Sequence, residues 1–115
     1  MTEPDRRTLQ RYLDRPVDDL MAELELYDST SRGAASKDLA GVWSKVAGPL
    51  RQRLCVEWDY CKVRENPRLD DDLELAVVVV AVLSEPVLQL PIQADRLLLA
   101  AIVVKRGLDA FCGCP

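Results

Sequence analysis

The sequence predicts an all-α protein, a compact bundle of four to five helices with a buried helical hairpin towards its C-terminal end. Apolar residues recur at helical spacing through most of the chain. Two apolar blocks, Leu73–Leu83 and Leu97–Val104, flank the proline-marked segment Ser84–Arg96. The chain has 115 residues, 49% of them hydrophobic, which is enough for one domain, residues 1–115, with a core of its own.

The first apolar block can be interpreted in two ways. It follows Asp70–Asp72, whose carboxylates can cap free N–H groups at the start of a helix, and it ends before Pro86, where a helix must stop. The valines Val77–Val80 favour a strand instead, because β-branched side chains suit a pleated, doubly buried surface. We predict a helix and keep as the alternative an α+β fold in which Leu75–Leu83 is a strand.

The second block favours a helix more clearly, although the interior glycine Gly107 costs about 1 kcal/mol relative to alanine. Both blocks are far shorter than the roughly 20 apolar residues of a membrane-spanning helix, so we expect no membrane contact. Together they predict the buried hairpin. The residues expected on one face of the second helix are Leu97, Ala101, Val104, Leu108 and Phe111.

The first half of the chain predicts the remaining helices. Thr2 can cap a short first helix, whose alternative is a loosely docked arm, and Pro16 can begin a second. The polar segment Asp28–Ser36 is expected to reverse the chain and to end on a capping serine. A long third element should kink or break at Pro49 and continue as a basic helix to about Glu65.

Composition narrows the classes of function. A net charge of −4 argues against a protein that binds nucleic acid through general electrostatics. The charge is uneven, since residues 39–69 carry six basic and three acidic side chains between two acidic regions. The chain has no histidine, which removes the commonest general base and metal ligand, and no phosphate-binding loop or nucleophile–base pair is visible. We therefore predict a protein that is not an enzyme and has no catalytic residues, cofactor or metal.

Two further features bear on origin and compartment. Arginines outnumber lysines, a bias that we take as a sign of a GC-rich, bacterial genome. The N-terminal residues are charged and lack the apolar core of a secretory signal. On this basis we expect the protein to be cytoplasmic.

The four cysteines admit three interpretations. Cys55 and Cys61 should lie on one helix and point about 120° apart, so they cannot easily share one metal ion. A disulfide, for instance between Cys61 and Cys112, would be unusual in the cytoplasm. We expect the first three cysteines to be small buried apolar side chains, with Cys114 at a frayed end.

The function expected from these patterns is that of a small helical protein-interaction module, an adaptor or a regulatory subunit, whose partner is another protein or a second copy of itself. One alternative is a nucleic-acid-associated regulator that uses the basic Arg51–Arg68 helix, with Trp58 and Tyr60 available for stacking. The other is a small cysteine-based metal or redox protein. The candidate partner-binding residues are Arg51, Arg53, Lys62, Arg64, Asp18, Asp19 and Glu23.

Overall fold

The computed structural model describes residues 3–27, 39–90 and 94–115, and in these ranges the chain forms a bundle of helices. Apart from an isolated bridge between Ser84 and Val87, these ranges contain no strand pairing. The all-α prediction is therefore confirmed. The α-helices are α1 (Glu3–Leu13), α2 (Val17–Glu25), α3 (Leu39–Arg51), α4 (Tyr60–Val63), α5 (Asp72–Ser84), α6 (Arg96–Arg106) and α7 (Leu108–Cys112), with a π-helical segment at Gln52–Glu57 and a 3-10 turn at Pro67–Asp70.

Helix α5 contains the four valines, so the strand alternative is wrong. The carboxylate of Asp71 accepts a hydrogen bond from the N–H of Glu74 at 2.9 Å and caps the first turn. At the other end, the carbonyl oxygen of Val80 accepts a hydrogen bond from the Ser84 hydroxyl. Capping and burial of Val79 and Leu83 thus prevail over the preference of β-branched residues for strands.

Helix α6 packs against α5, as predicted for the hairpin, and lies at the centre of the bundle. Residues 98–104 are all buried, so no single face of this helix is the apolar one. The predicted continuation through Gly107 is wrong. Gly107 has a φ of 92°, a conformation that side-chain-bearing residues rarely adopt, and it separates α6 from the short helix α7.

The first helix is docked and is not a loose arm. Leu9 is fully buried, and Arg6 forms an ion pair with Glu74 of α5 at 2.6 Å. The ammonium group of Lys105 donates a hydrogen bond to the carbonyl of Leu13 at 2.6 Å. Contacts with both helices of the hairpin therefore hold α1 in place.

The third element departs from the sequence prediction. Helix α3 continues through Pro49 to Arg51, and the irregularity follows it as the π-helical segment, in which the N–H of Trp58 bonds the carbonyl of Arg53. Asp59 then adopts a left-handed conformation with a φ of 59°. The basic residues consequently lie on several short elements and not on one helix.

The two disulfides are the largest departure from expectation. Cys55 is bonded to Cys112 and Cys61 to Cys114, with Cα–Cα distances of 5.3 and 5.4 Å. The prediction of free, buried thiols is wrong, and so is the example pairing of Cys61 with Cys112. The bonds join the C-terminal helix α7 to the π-helical segment and α4.

Two predictions, the cap at Thr2 and the chain reversal at Asp28–Ser36, lie outside the described residues. Pro16 caps α2, so this helix begins at Val17, one residue later than predicted. Within the described part of the chain, no helix is long and apolar enough to cross a membrane.

Candidate functional site

Arg53, one of the candidate partner-binding residues, lies in the interior with 8% of its surface exposed. Its Nη1 donates hydrogen bonds to the carbonyl oxygens of Val82 and Pro86 at 2.8 and 2.6 Å. Its Nε lies 3.3 Å from Glu57 Oε1, so the two side chains form an ion pair, but Nε does not donate a hydrogen bond to this oxygen. This guanidinium joins the π-helical segment to the turn after α5, and it does not reach the surface.

The other basic candidates also have neighbours within the chain. Arg64 bonds the carbonyl of Pro115 at 2.7 Å and forms an ion pair with Asp109 at 3.3 Å. Lys62 is exposed and lies 3.4 Å from the Asp59 carboxylate. Arg51 is exposed and stacks on the ring of Phe111 in α7. Of this group, Arg51 and Lys62 present the most of their charge to solvent.

The acidic candidates all lie on α2. Asp18 and Asp19 are exposed in its first turn, where their charge complements the helix dipole. Glu23 is half-buried and forms an ion pair with Arg15 at 2.9 Å. The structure thus separates the acidic candidates on α2 from the basic candidates on later elements.

Glu23 belongs to a second acidic cluster that sequence reasoning missed. Asp95 caps α6 by accepting a hydrogen bond from the N–H of Leu97 at 2.9 Å, and it accepts another from the Tyr12 hydroxyl at 3.4 Å. Burial and then the Asp95 charge raise the pKa of Tyr12 above its ordinary range. Partial burial, Asp95 and Glu23 raise the pKa of Tyr27 in the same way. The two carboxylates therefore share a neighbourhood with both phenols.

This cluster lies at the edge of a cleft of about 690 Å³. We call it the large cleft. Its apolar lining includes Leu83 at the end of α5 and the half-exposed Val87, which is 52% exposed in the turn that follows. Its volume is in the range of small-ligand sites. The charged and hydroxyl-bearing residues in its lining are Asp5, Tyr27, Ser84, Asp95 and Arg96.

A second cleft of about 220 Å³ lies between α3, α6 and α7. The guanidinium of Arg106 lies 5.2 Å from the ring centroid of Trp43, and that of Arg51 lies 4.7 Å from the centroid of Phe111. The two rings are in contact, with centroids 5.8 Å apart. We call this site the arginine cleft; the backbone and small side chains that complete it belong to Gly107 and Ala110.

The aromatic pair proposed for stacking nucleic acid bases is not a free platform. Tyr60 is buried, and its ring centroid lies 5.7 Å from that of the half-buried Trp58. Burial and a hydrogen bond to Asp109 raise the pKa of the Tyr60 hydroxyl to about 12. The contact between Tyr60 and Asp109 helps to dock the C-terminal helix α7 onto α4.

Metal binding receives no support from the side chains that the structure describes. Among the described residues, no group of three or more cysteines, aspartates or glutamates is arranged to hold an ion. All four cysteine sulfurs are bonded to each other in pairs. The C-terminal Cys112 and Cys114 therefore bind separate partners and do not form a ligand pair.

Comparison with protein-family models, with curated proteins and with solved structures yields no match to this chain. The residues that sequence reasoning missed include Tyr27, which follows α2, and Asp95 and Arg106, which lie at opposite ends of α6. One signal was present in the sequence, because an even number of cysteines is typical of a disulfide framework.

Proposed function

We propose that this protein is a small, non-enzymatic helical interaction module whose large cleft receives a basic, apolar segment of another protein. The observation that carries the proposal is the composition of that cleft, in which exposed apolar side chains lie beside carboxylates. A partner segment with apolar side chains could bury them against the exposed Val87 and the half-buried Leu88, and its lysines or arginines would meet Asp95. Oppositely charged edges favour association and selection of the right partner.

The carboxylate of Asp95 has acceptor capacity left for such a cation. It accepts two hydrogen bonds within the chain, from the Tyr12 hydroxyl and the Leu97 N–H. An ionised carboxylate has about four lone-pair positions. Asp95 can therefore hold α6 and a partner's cation at the same time.

The exposed carboxylates of Asp18 and Asp19 support the same choice of partner, because they add negative charge on the neighbouring helix α2. A net charge of −4 for the whole chain acts in the same direction. The basic candidates Lys62 and Arg64, in contrast, already lie beside carboxylates of the chain. These contacts favour a basic protein partner over nucleic acid.

A direct test uses two labelled peptides of equal length, one built of leucine and lysine and the other of leucine and glutamate. We expect the lysine peptide to bind by fluorescence anisotropy and its affinity to fall as salt is raised, since screening weakens contacts between exposed charges. Equal binding of both peptides, or no binding of either, would overturn the proposal.

A matched pair of variants locates the binding. Val87→Lys places a positive charge at the large cleft, whereas Val56→Lys makes the same change at another exposed valine, one that is 61% exposed and outside this cleft. We expect Val87→Lys to weaken binding of the lysine peptide roughly threefold to fivefold, the range of an exposed ionic contact. Val56→Lys should have little effect on this binding. Equal effects of the two variants would place the binding elsewhere.

The compartment and the oligomeric state are part of the proposal. Disulfides persist mainly in oxidising compartments, so the two in this chain weigh against the cytoplasmic location expected from sequence. We infer an oxidising compartment, which alkylation of thiols in intact host cells tests: rapid labelling of these cysteines would favour the cytoplasm. A second copy of the chain remains the other candidate partner, and a concentration-dependent mass in light scattering would indicate it.

A further inference from the structure

The arginine cleft carries two guanidinium groups, those of Arg51 and Arg106. Among the described residues, neither Arg51 nor Arg106 forms an ion pair with a carboxylate. Each is instead held over an aromatic ring, Arg51 on Phe111 and Arg106 on Trp43. Stacking fixes the plane of a guanidinium while leaving N–H groups at its edge free to donate hydrogen bonds.

The rest of the site suits an anion. None of the described residues that line the cleft is acidic, so none of them competes for the two cations. The nearby Asp109 is in contact with Arg64 and Tyr60. Gly107 contributes no side chain, and open space surrounds the position where its Cβ would stand. The cleft thus concentrates positive charge in an otherwise acidic protein.

Size and donor geometry select the anion. The cleft volume of about 220 Å³ corresponds to roughly seven water molecules, which is enough for one or two phosphate groups. Arg51 uses its Nε to bond the Phe111 carbonyl at 3.3 Å, which leaves its Nη groups as donors. Guanidinium groups bind phosphate through parallel N–H···O bonds, and two of them match a dianion in charge.

We propose that the arginine cleft is a binding site for the phosphate group of a small ligand, with Arg51 and Arg106 as its donors. The site is distinct from the large cleft, because none of the described residues lines both clefts. Inorganic phosphate and a phosphate monoester present the same group. Tighter binding of the ester would indicate that atoms beyond the phosphate contribute, and equal binding would identify the free ion as the ligand.

The test titrates the native, disulfide-bonded protein with inorganic phosphate, pyrophosphate and glycerol phosphate, followed by isothermal calorimetry and by the NMR signals of the two tryptophan indoles. Trp43 lines the cleft and Trp58 does not. We expect a saturable shift of the Trp43 indole signal with the Trp58 signal unchanged. Absence of saturation up to about 10 mM of all three ligands, a concentration that would still detect millimolar affinity, would overturn the proposal.

Three charge-neutralising variants complete the test. Arg51→Gln and Arg106→Gln should each weaken phosphate binding roughly tenfold, the effect of losing one charge-assisted contact. Arg68→Gln is the matched control, since Arg68 is exposed on the 3-10 turn and outside the cleft. Circular dichroism identifies any variant that fails to fold, and Arg106→Lys then keeps the charge without the planar donors. Equal weakening by Arg68→Gln would show that only the net charge matters and would overturn the proposed site. Binding of an oligonucleotide, with no binding of the three small ligands, would also overturn it.

Discussion

Helices α6 and α7 are neighbours in the chain, yet different forces hold them. Helix α6 is buried over residues 98–104, so apolar burial is the main force that holds it in place. Helix α7 has five residues, of which only Leu108 is buried. A helix of this length is not stable by itself. Helix α7 is held against α3 and α4 by two disulfides, by the ring contacts of Phe111 and by the ion pair of Arg64.

This difference shows how a small domain can order a segment that offers little apolar surface. Burial contributes in proportion to the apolar area removed from water, which is large for α6 and small for α7. A disulfide acts chiefly by restricting the unfolded chain, so its contribution does not depend on the area buried. The arginine cleft lies between these two regions, and its geometry depends on both.

The largest expected effect comes from removing both disulfides. The Cys55–Cys112 bond closes a long loop, with a sequence separation of 57, worth about 4 kcal/mol. Once it exists, the Cys61–Cys114 bond closes only a small ring, formed by residues 55–61 and 112–114, worth about 3 kcal/mol. We expect reduction of both to lower the free energy of unfolding by about 7 kcal/mol, measured by urea denaturation.

The paired single removals sharpen this prediction. Cys55→Ser with Cys112→Ser, or Cys61→Ser with Cys114→Ser, should each cost only about 3 kcal/mol, because the remaining bond still closes the long loop. The loss of both should therefore exceed the sum of the two separate losses. If the two separate losses of stability simply add up to the joint loss, or if reduction causes no loss, the disulfides are not what holds α7 in place.

The next largest effect tests α6. Leu98→Ala removes a fully buried side chain and should lower the free energy of unfolding by about 2–5 kcal/mol, from lost burial and from the cavity that remains. Leu26→Ala makes the same change at a side chain that is 82% exposed and should stay within about 0.5 kcal/mol. Similar losses in both variants would show that burial is not what holds the central helix.

A smaller effect is expected at Arg53, which links the π-helical segment to the turn after α5. Arg53→Met keeps the apolar stem but leaves the carbonyls of Val82 and Pro86 without this donor, at a cost of about 2–3 kcal/mol. Arg68→Met, at an exposed position, should change stability little. Thermal unfolding of the two variants measures the difference, and equal melting temperatures would contradict the role of the buried guanidinium.

The smallest expected effect is a loss of stability in alkali, where the hydroxyl of Tyr60 ionises. The folded protein raises the pKa of Tyr60 from 10.0 to about 12. The protonated hydroxyl therefore contributes stability that is complete below pH 10 and is lost as the pH rises to about 12. Urea denaturation across this range should show a steeper loss in the wild type than in Tyr60→Phe. Parallel curves would mean that the folded environment does not favour the protonated phenol.

Several elements were predictable because their causes are local. The carboxylate of Asp71 caps α5 from the position that the sequence indicated, and the apolar residues of α3, such as Val42 and Leu50, are buried as their spacing predicted. The break at Gly107 was predictable only as a weakness, because its positive φ also depends on where α7 docks. Pro49 gave the wrong position for the irregularity, which lies after Arg51.

The positions of the two clefts were much harder to predict from the sequence. Arg53 and Arg51 are close in the chain and carry the same charge, yet one is buried and the other lines a cleft. Trp43 and Phe111 are far apart in sequence and are in contact. No periodicity encodes such pairs, because they depend on how separate helices pack.

The sequence by itself determined the helical class, the hairpin of α5 and α6 and the acidic character, since each follows from spacing, capping or composition within a short stretch. Only the tertiary structure decided which cysteines pair, which arginines reach solvent and where the two clefts lie. The physical reason is range: helices form through contacts a few residues apart, whereas disulfides and clefts require residues from distant segments to meet in one place.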